Sequence, residues 1–349
     1  MQVHFMELPR LVVVGSGVSG KIGDTLQKLE IGKKGIVLSG PNVMPLLRPA
    51  VESSLKESEF KFRWDIVGAS SFAEVERIAS LAREERSDFL IGAGGGRSID
   101  IAKLASFNSK IPFVSVPTSA SHDGISSPFA SVKGLDRPYS IVAEPPIAII
   151  ADTELISKAP HKLLVSGCGD LLSKKTAVKD WELSYVRTGD YFGRYSANLA
   201  LLSANMIMED AGIISSISSE GISVVVEALI SSGVAAGIAG SSRPCSGSEH
   251  LFSHAMDIVA PGKGMHGEKC GLGTIMMAKL HGLDYDEIKK TLKIIGSPVK
   301  ASDIGATNDE IVKALVLARS IRKERYTILD EAKLTEESAR KLAQYVGVI

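Results

Sequence analysis

Between residues 11 and 152 short apolar runs alternate with helical patterns, and after about residue 156 the apolar runs stop. The runs are LVVVG (11–15), GIVLSG (35–40), DIVG (65–68), FLIGAGG (89–95), PFVSVPT (112–118) and IAIIAD (147–152). Between them lie stretches such as SSFAEVERIASLAREERS, where Val75, Ile78, Ala79 and Ala82 share one helical face and Ser71 and Glu74 have the spacing of a capping box. Strand–helix alternation predicts a mostly parallel, Rossmann-like sheet covered on both faces. Later come RYSANLALLSANMIMEDAG, GEKCGLGTIMMAKLHG and TNDEIVKALVLARSIRKERY, the last opening on Thr307 as an N-cap before a carboxylate-rich first turn. The expectation is an α/β domain over 1–156 and an all-helical domain over 157–349, with a cleft between them as the default ligand site. No internal repeat and no low-complexity linker interrupts the pattern.

Charge narrows the partners. The 349 residues carry 40 Lys+Arg and 40 Asp+Glu, so binding to nucleic acid or an anionic membrane through a global basic field is not expected. The opening MQVHFMELPR lacks the basic-then-apolar pattern of a signal peptide. The most apolar window, from Ile222, contains Glu227, serines and glycines and reads as a buried helix rather than a membrane span. Cys168, Cys245 and Cys270 form no C-x-x-C pair, as suits reduced thiols in a cytoplasmic protein. The apolar helices make a homo-oligomer the expected assembly, acting on a small molecule.

Two glycine loops compete for a phosphate group. Gly15, Gly17 and Gly20 follow the first run with G-x-G-x-x-G spacing, but the second run ends in Ser39, Gly40, Pro41 and Asn42, without the acid that holds an adenosine ribose. The other loop passes from Phe89 through Gly92, Gly94, Gly95 and Gly96 into a helical pattern, with Ser98 in its first turn. Consecutive glycines at a strand-to-helix junction bare backbone N–H groups and the helix dipole to an anion. The next run ends in VPTSASHDGISSPFAS, where an open α/β sheet places its ligands; Thr118, Ser119 and Ser121 are donors and Asp123 an acceptor.

Three of seven histidines fall in EHLFSHAMDIVAPGKGMHGEK. His250 and His254 are four apart on one helix face, about 6 Å along the axis. His266 opens the next helix. Imidazoles on neighbouring helices suit Zn²⁺ or Fe²⁺ with an added carboxylate, and Asp170, expected among small residues at a helix start, is the candidate. Such a metal either polarises a carbonyl for hydride transfer or positions a phosphorylated substrate.

In this order GAGGGRSIDIAK, PTSASHDGISSPFAS, GCGDLLSKKTAVKDW and HLFSHAMD…GKGMHGEK resemble the archaeal sn-glycerol-1-phosphate dehydrogenases. These belong to the superfamily of glycerol dehydrogenase, iron-containing alcohol dehydrogenase and dehydroquinate synthase. The resemblance covers nearly the whole chain and implies a dehydroquinate synthase-like fold. It implies reduction of dihydroxyacetone phosphate to sn-glycerol 1-phosphate, the backbone of archaeal membrane lipids, with NADH or NADPH and one Zn²⁺ per subunit.

By the same resemblance Asp170, His250 and His266 hold the metal, and Asp170 counts with His254 and Asp123 as catalytic, the last two touching substrate. Gly95, Gly96, Arg97, Ser98, Ile99 and Asp100 hold the pyrophosphate. Thr118, Ser119, Ala120, Ser121 and Ser127 line the nicotinamide side. GSGVSG becomes a turn at the domain's edge, and Ser39 with Gly40, lacking an acid, admits both NADH and NADPH. The implied proton source for the new hydroxyl is a metal-linked water or His254. The nearest rival is glycerol dehydrogenase, whose substrate has no phosphate; Arg243 and His122 are the candidate cations that separate the two. Dehydroquinate synthase chemistry and a non-catalytic nucleotide-binding protein fit less well, the first by its loop, the second by the intact Asp170, His250 and His266.

Overall fold

The computed structural model describes residues 6–132 and 140–349, so residues 1–5 and 133–139 of the expected first domain lie outside the described residues. The chain forms two compact units, Met1–Pro160 and His161–Ile349.

The first unit alternates strand and helix: β1 Leu11–Gly15, α1 Ile22–Leu29, β2 Lys34–Ser39, α2 Met44–Glu57, β3 Lys61–Ile66, α3 Phe72–Glu84, β4 Phe89–Gly94, α4 Gly96–Ser109, β5 Phe113–Pro117, β6 Phe129–Ser131, β7 Ser140–Val142, β8 Ala148–Asp152 and α5 Thr153–Ser157. Among the described residues six strands form one sheet in the order β1-β8-β5-β4-β2-β3, and every pairing in it is parallel, as the alternation predicts. Strands β2, β4, β5 and β8 are almost wholly buried, which explains their unbroken apolar runs. On one face Val37, Ile91, Val116 and Ile150 pack with Leu26, Leu29, Leu47 and Leu55 of α1 and α2.

The chain leaves β2 outward to β3, then returns to β4 on the other side of β2 and continues outward to β5. That reversal opens a crevice at the carboxyl ends of β2 and β4, the position at which open α/β sheets bind ligands.

Three local readings are corrected. The third strand lies at 61–66 rather than 65–68; it is an edge strand whose Phe62 and Trp64 only half-bury, so its apolar signal is weak. The β6–β7 hairpin was not expected, because three-residue strands carry almost no periodicity. Ser71 does cap α3 by accepting from the Glu74 N–H at 3.3 Å, but Glu74 Oε1 accepts from Gly68 N–H at 2.9 Å instead of closing the box on Ser71.

The second unit is helical among its described residues: α6 His161–Leu172, α7 Lys174–Thr188, α8 Arg194–Glu209, α9 Ala211–Ser215, α10 Ser219–Ala239, α11 Ser248–Val259, α12 His266–His281, α13 Tyr285–Ile295, α14 Asn308–Ile321, α15 Ile328–Ala332 and α16 Glu336–Tyr345. Thr307 caps α14 with Glu310 in a complete capping box. Helix α10 is long and apolar enough to cross a membrane, yet most of it is buried, packed along α8 as the sequence predicts. Helix α12 lies against α6 and α11, and α11 also packs on α14.

Asp170 sits in the last turn of α6, not at a helix start. The small residues around it serve helix packing. A Cβ on Gly169 would stand 2.2 Å from the Gly267 carbonyl oxygen, and one on Gly267 would stand 1.7 Å from that of Ser166. Only glycine at both positions lets α6 and α12 approach closely enough to bring Asp170 beside His266.

Candidate metal centre and nucleotide loop

In the first unit the two glycine loops have opposite fates. Gly17 adopts the left-handed conformation, φ 69°, in the turn after β1. The buried Asp152 carboxylate at the end of β8 accepts from Gly17 N–H at 3.0 Å, Ser19 N–H at 3.1 Å and Ser19 Oγ at 2.6 Å. Burial alone would raise the Asp152 pKa; the donors from Ser19 and Gly17 outweigh it and hold the group below its ordinary value. The loop that looked like a phosphate cradle is filled by the chain's own anion. β1 is an edge strand, so GSGVSG is a turn at the edge of the sheet.

The second loop lies at the reversal between β2 and β4. Gly95 is the N-cap of α4, and the N–H groups of Gly96 and Arg97 fall in its first turn, where a helix has no internal acceptor for them. A Cβ on Gly96 would meet His122 Nε2 at 2.1 Å, and one on Gly95 would stand 3.7 Å from Ser119 Oγ. Ser119 and His122 therefore lie against Gly95 and Gly96. Gly94, φ 150°, would bring a Cβ within 2.9 Å of Ser98 Oγ and 4.0 Å of Ser39 Oγ. Ser39 Oγ is buried with no hydrogen-bond partner among the described residues.

The rest of the expected nucleotide set divides. Arg97 is exposed, its Nη1 donating to the Gly68 carbonyl at 3.3 Å. Thr118 is half-buried, and its N–H bonds the Gly94 carbonyl at 3.0 Å, tying the two loops together. Ser121 and Ala120 are buried beside them. Ile99 is fully buried in the core, so it offers a ligand no side chain.

Asp100 points inward: its Oδ2 accepts from Ser131 N–H at 3.1 Å and its Oδ1 stands 3.7 Å from the buried Lys103 Nζ, which donates to the Gly124 carbonyl at 2.8 Å and to that of Phe129. Burial pulls the Lys103 pKa down against the opposing pull of Asp100 and Asp123. This pair braces the 122–131 loop from beneath. Within it the Asp123 carbonyl accepts from the N–H groups of Ser126 and Ser127, while Ser127 Oγ faces the Phe129 carbonyl at 3.4 Å.

In the second unit donor atoms of Asp170, His250, His266 and Cys270 all lie within 4.8 Å of one another. They come from the ends of three helices: the last turn of α6, the first turn of α11 and the first two turns of α12. His250 Nε2 is 3.3 Å from Asp170 Oδ1. Its Nδ1 is 2.8 Å from Glu249 Oε1, which also accepts from Gly247 N–H at 2.7 Å, while Glu249 Oε2 accepts from Thr176 Oγ1 at 2.7 Å. A carboxylate acceptor on Nδ1 keeps a proton there and makes Nε2, which faces Asp170 Oδ1, the nitrogen that would give up its proton to a metal. His266 Nδ1 is 3.4 Å from Ser253 Oγ and its Nε2 is 3.7 Å from Cys270 Sγ.

Asp170 also accepts from the wholly buried Lys174 Nζ at 2.9 Å. Burial would push the Asp170 carboxyl up; Lys174 and His250 outweigh it and hold the group well below the ordinary carboxylate range. Burial likewise opposes charge on His250 and His266, but Cys270 with Asp170 raises both above 6.5. Burial raises the Cys270 thiol and the two histidines more than reverse this, bringing it down to about 6. Two imidazoles, a carboxylate and a thiol of this acidity form a donor set for a divalent transition metal.

His254, one turn beyond His250, stays apart from the four, its ring centroid 6.1 Å from that of His266. Its Nδ1 is buried, 4.0 Å from Asp257 Oδ2, and has no hydrogen-bond partner among the described residues. Burial, then the neighbouring His266, His250, Lys269 and Arg322, push its pKa well below the ordinary histidine value. Arg243 is tied to Asp190, Ser184 and the Tyr326 carbonyl at 2.8–3.2 Å, which makes it part of the scaffold.

Sequence reasoning missed Cys270, Lys174, Glu249 and Asp152. Cys270 follows His266 by four residues and Lys174 follows Asp170 by four, the same spacing that singled out His250 and His254. Glu249 and Asp152 gave no signal of that kind.

A family model described as iron-containing alcohol dehydrogenase matches residues 13–160. A protein of Nitrosopumilus maritimus named glycerol-1-phosphate dehydrogenase (NAD(P)+) is 52% identical, over 100% of this chain and 98% of its own length. One of Pyrococcus horikoshii with the same name is 48% identical over 99% and 100%. Among solved structures, a probable glycerol dehydrogenase from Sinorhizobium meliloti superposes with a TM-score of 0.80 at 21% identity, covering 99% of this chain and 98% of the other.

Proposed function

This chain belongs to the glycerol-1-phosphate dehydrogenases, and from that premise we propose that it reduces dihydroxyacetone phosphate to sn-glycerol 1-phosphate with NADH or NADPH and one Zn²⁺ per subunit. The observation that carries the reading is 52% identity along the whole chain to a protein of that name. The donor cluster supports the metal, and the glycine loop at the sheet's reversal supports the dinucleotide. The proposal assigns cofactor binding to the α/β domain and metal and substrate binding to the helical domain. It extends to a homo-oligomeric assembly acting in the cytoplasm and supplying glycerophosphate for lipid synthesis.

When bound, Zn²⁺ withdraws charge from the substrate carbonyl while the reduced nicotinamide supplies the hydride. Asp170, His250 and His266 are the residues assigned to hold the ion, with Glu249 and Ser253 setting the ring orientations. The N–H groups of Gly96 and Arg97 and the hydroxyl of Ser98 are assigned to the pyrophosphate, and Thr118, Ser119, Ala120, Ser121 and Ser127 to the nicotinamide side. Ile99 enters that set through its backbone and Asp100 by bracing the loop. Asp123 and His254 are assigned to substrate. His254, whose pKa is pushed down by burial and the neighbouring charges, is assigned to hydrogen-bond a substrate hydroxyl, with it or a metal-linked water as the proton source for the new hydroxyl. The charges of Lys269, paired with Asp257, and Arg322, paired with Glu324 at 3.1 Å, are felt at His254, and we assign them to the substrate phosphate. They supply the positive field a phosphate ester needs and an unphosphorylated triose does not.

The test is NAD(P)H oxidation with dihydroxyacetone phosphate beside dihydroxyacetone, before and after chelation and zinc add-back. A zinc-dependent rate on the phosphate ester alone is the expected result. Faster turnover of dihydroxyacetone would make the chain a glycerol dehydrogenase.

A further inference from the structure

We propose that Cys270 is a fourth ligand of the metal, bound through its thiolate alongside Asp170, His250 and His266; this rests on the assignment of those three as ligands. Its Sγ is within 4.8 Å of the donor atoms of all three and 3.7 Å from His266 Nε2. The residue is wholly buried. Its place follows from the fold: His266 and Cys270 are four apart at the start of α12, so both point toward the end of α6 where Asp170 lies. His254 has the same spacing from His250 on α11, yet it stays out of the cluster. Among the described residues Cys270 is the thiol directed at these donors. Cys245 instead engages Ser232.

The consequence is metal choice. Two histidines and one carboxylate with open positions suit ferrous iron, whereas a thiolate shifts such a set toward zinc. Ligation forms one S–metal bond and releases to solvent whatever proton the Cys270, His250 and His266 set shares.

The experiment is an anaerobic Co²⁺ titration of the metal-stripped full-length protein, followed by absorbance. Expected are visible d–d bands that saturate at one equivalent and, rising with them, a near-ultraviolet thiolate-to-cobalt band. The near-ultraviolet band should vanish in Cys270→Ser and Cys270→Ala and persist when Cys168 or Cys245 is replaced by Ser. Zinc affinity of Cys270→Ala should fall beyond the roughly 10- to 100-fold that loss of an outer partner causes. Visible bands without the near-ultraviolet band, or a band that survives Cys270→Ser, would overturn the proposal and leave Asp170, His250 and His266 as ligands. Absence of any cobalt binding would overturn both.

Discussion

At the scale of single residues the cluster is a set of buried charges awaiting a cation. Lys174 occupies one oxygen of Asp170 in a wholly buried pair. Lys174→Met removes the largest counter-charge of that carboxylate, leaving His250 at 3.3 Å and the more distant His266, and should cost up to about 3–5 kcal/mol of stability in the stripped protein. Saturating zinc should recover much of this, because the ion then balances the charge; thermal unfolding with and without zinc measures the difference. Asp170→Asn should lower zinc content and turnover together, and an Asp170→Asn protein with full zinc and full rate would remove Asp170 from the ligand set.

Protons compete with the metal. His250 and His266 have folded-state pKa values above 6.5, because the charges of Cys270 and Asp170 overcome the opposing effect of burial. In the stripped protein the proton on each imidazole stabilises the fold fully below 6.5, and that contribution is lost as pH rises through the raised value. Zinc must displace those protons, so its apparent affinity should climb with pH across the neutral range. Calorimetry in two buffers of different ionisation enthalpy should register proton release; affinity that falls with pH would contradict the assignment.

At the scale of elements, glycine decides which helices and loops meet. Gly267→Ala drives a Cβ to 1.7 Å from the Ser166 carbonyl and must push α12 from α6. The expected result is a loss of about 1–3 kcal/mol or more, with weakened zinc binding, although the residue bears no donor. Gly96→Ala drives a Cβ into the His122 ring at the other glycine loop. It should raise the KM for NADH and leave zinc content unchanged. Equal loss of zinc and cofactor binding would mean global damage instead. The strands at this scale were legible where both faces are buried, as in β2, β4 and β8, since an unbroken apolar run needs no partner to be read. β3 and the β6–β7 hairpin were shifted or missed because edge and short strands owe their existence to neighbours.

At the scale of the whole molecule, the metal donors belong to one compact unit and the glycine loop to the other. Chelation should therefore abolish turnover while NADH binding, followed by its fluorescence, keeps nearly the same Kd. Ser39 and Gly40 at the end of β2 carry no acid against a 2′-phosphate, so NADPH should be used beside NADH; a strict preference for NADH in steady-state comparison would refute this.

The strand–helix alternation, the parallel sheet and the candidacy of Asp170, His250, His254 and His266 as donors were legible in the sequence, because periodicity and residue chemistry are local properties; the choice of His250 over His254 came from the family resemblance. Which glycine loop stays open was given by the family resemblance and not by the glycine spacing; its physical cause, Asp152 filling the first loop from 133 residues away in the chain, shows only in three dimensions. The membership of Cys270, the buried partnership of Lys174 with Asp170 and the separation of His254 from the cluster were also decided in three dimensions. Each depends on how closely α6, α11 and α12 approach, and that distance is set by backbone contacts at Gly169 and Gly267 that no pattern of side chains announces.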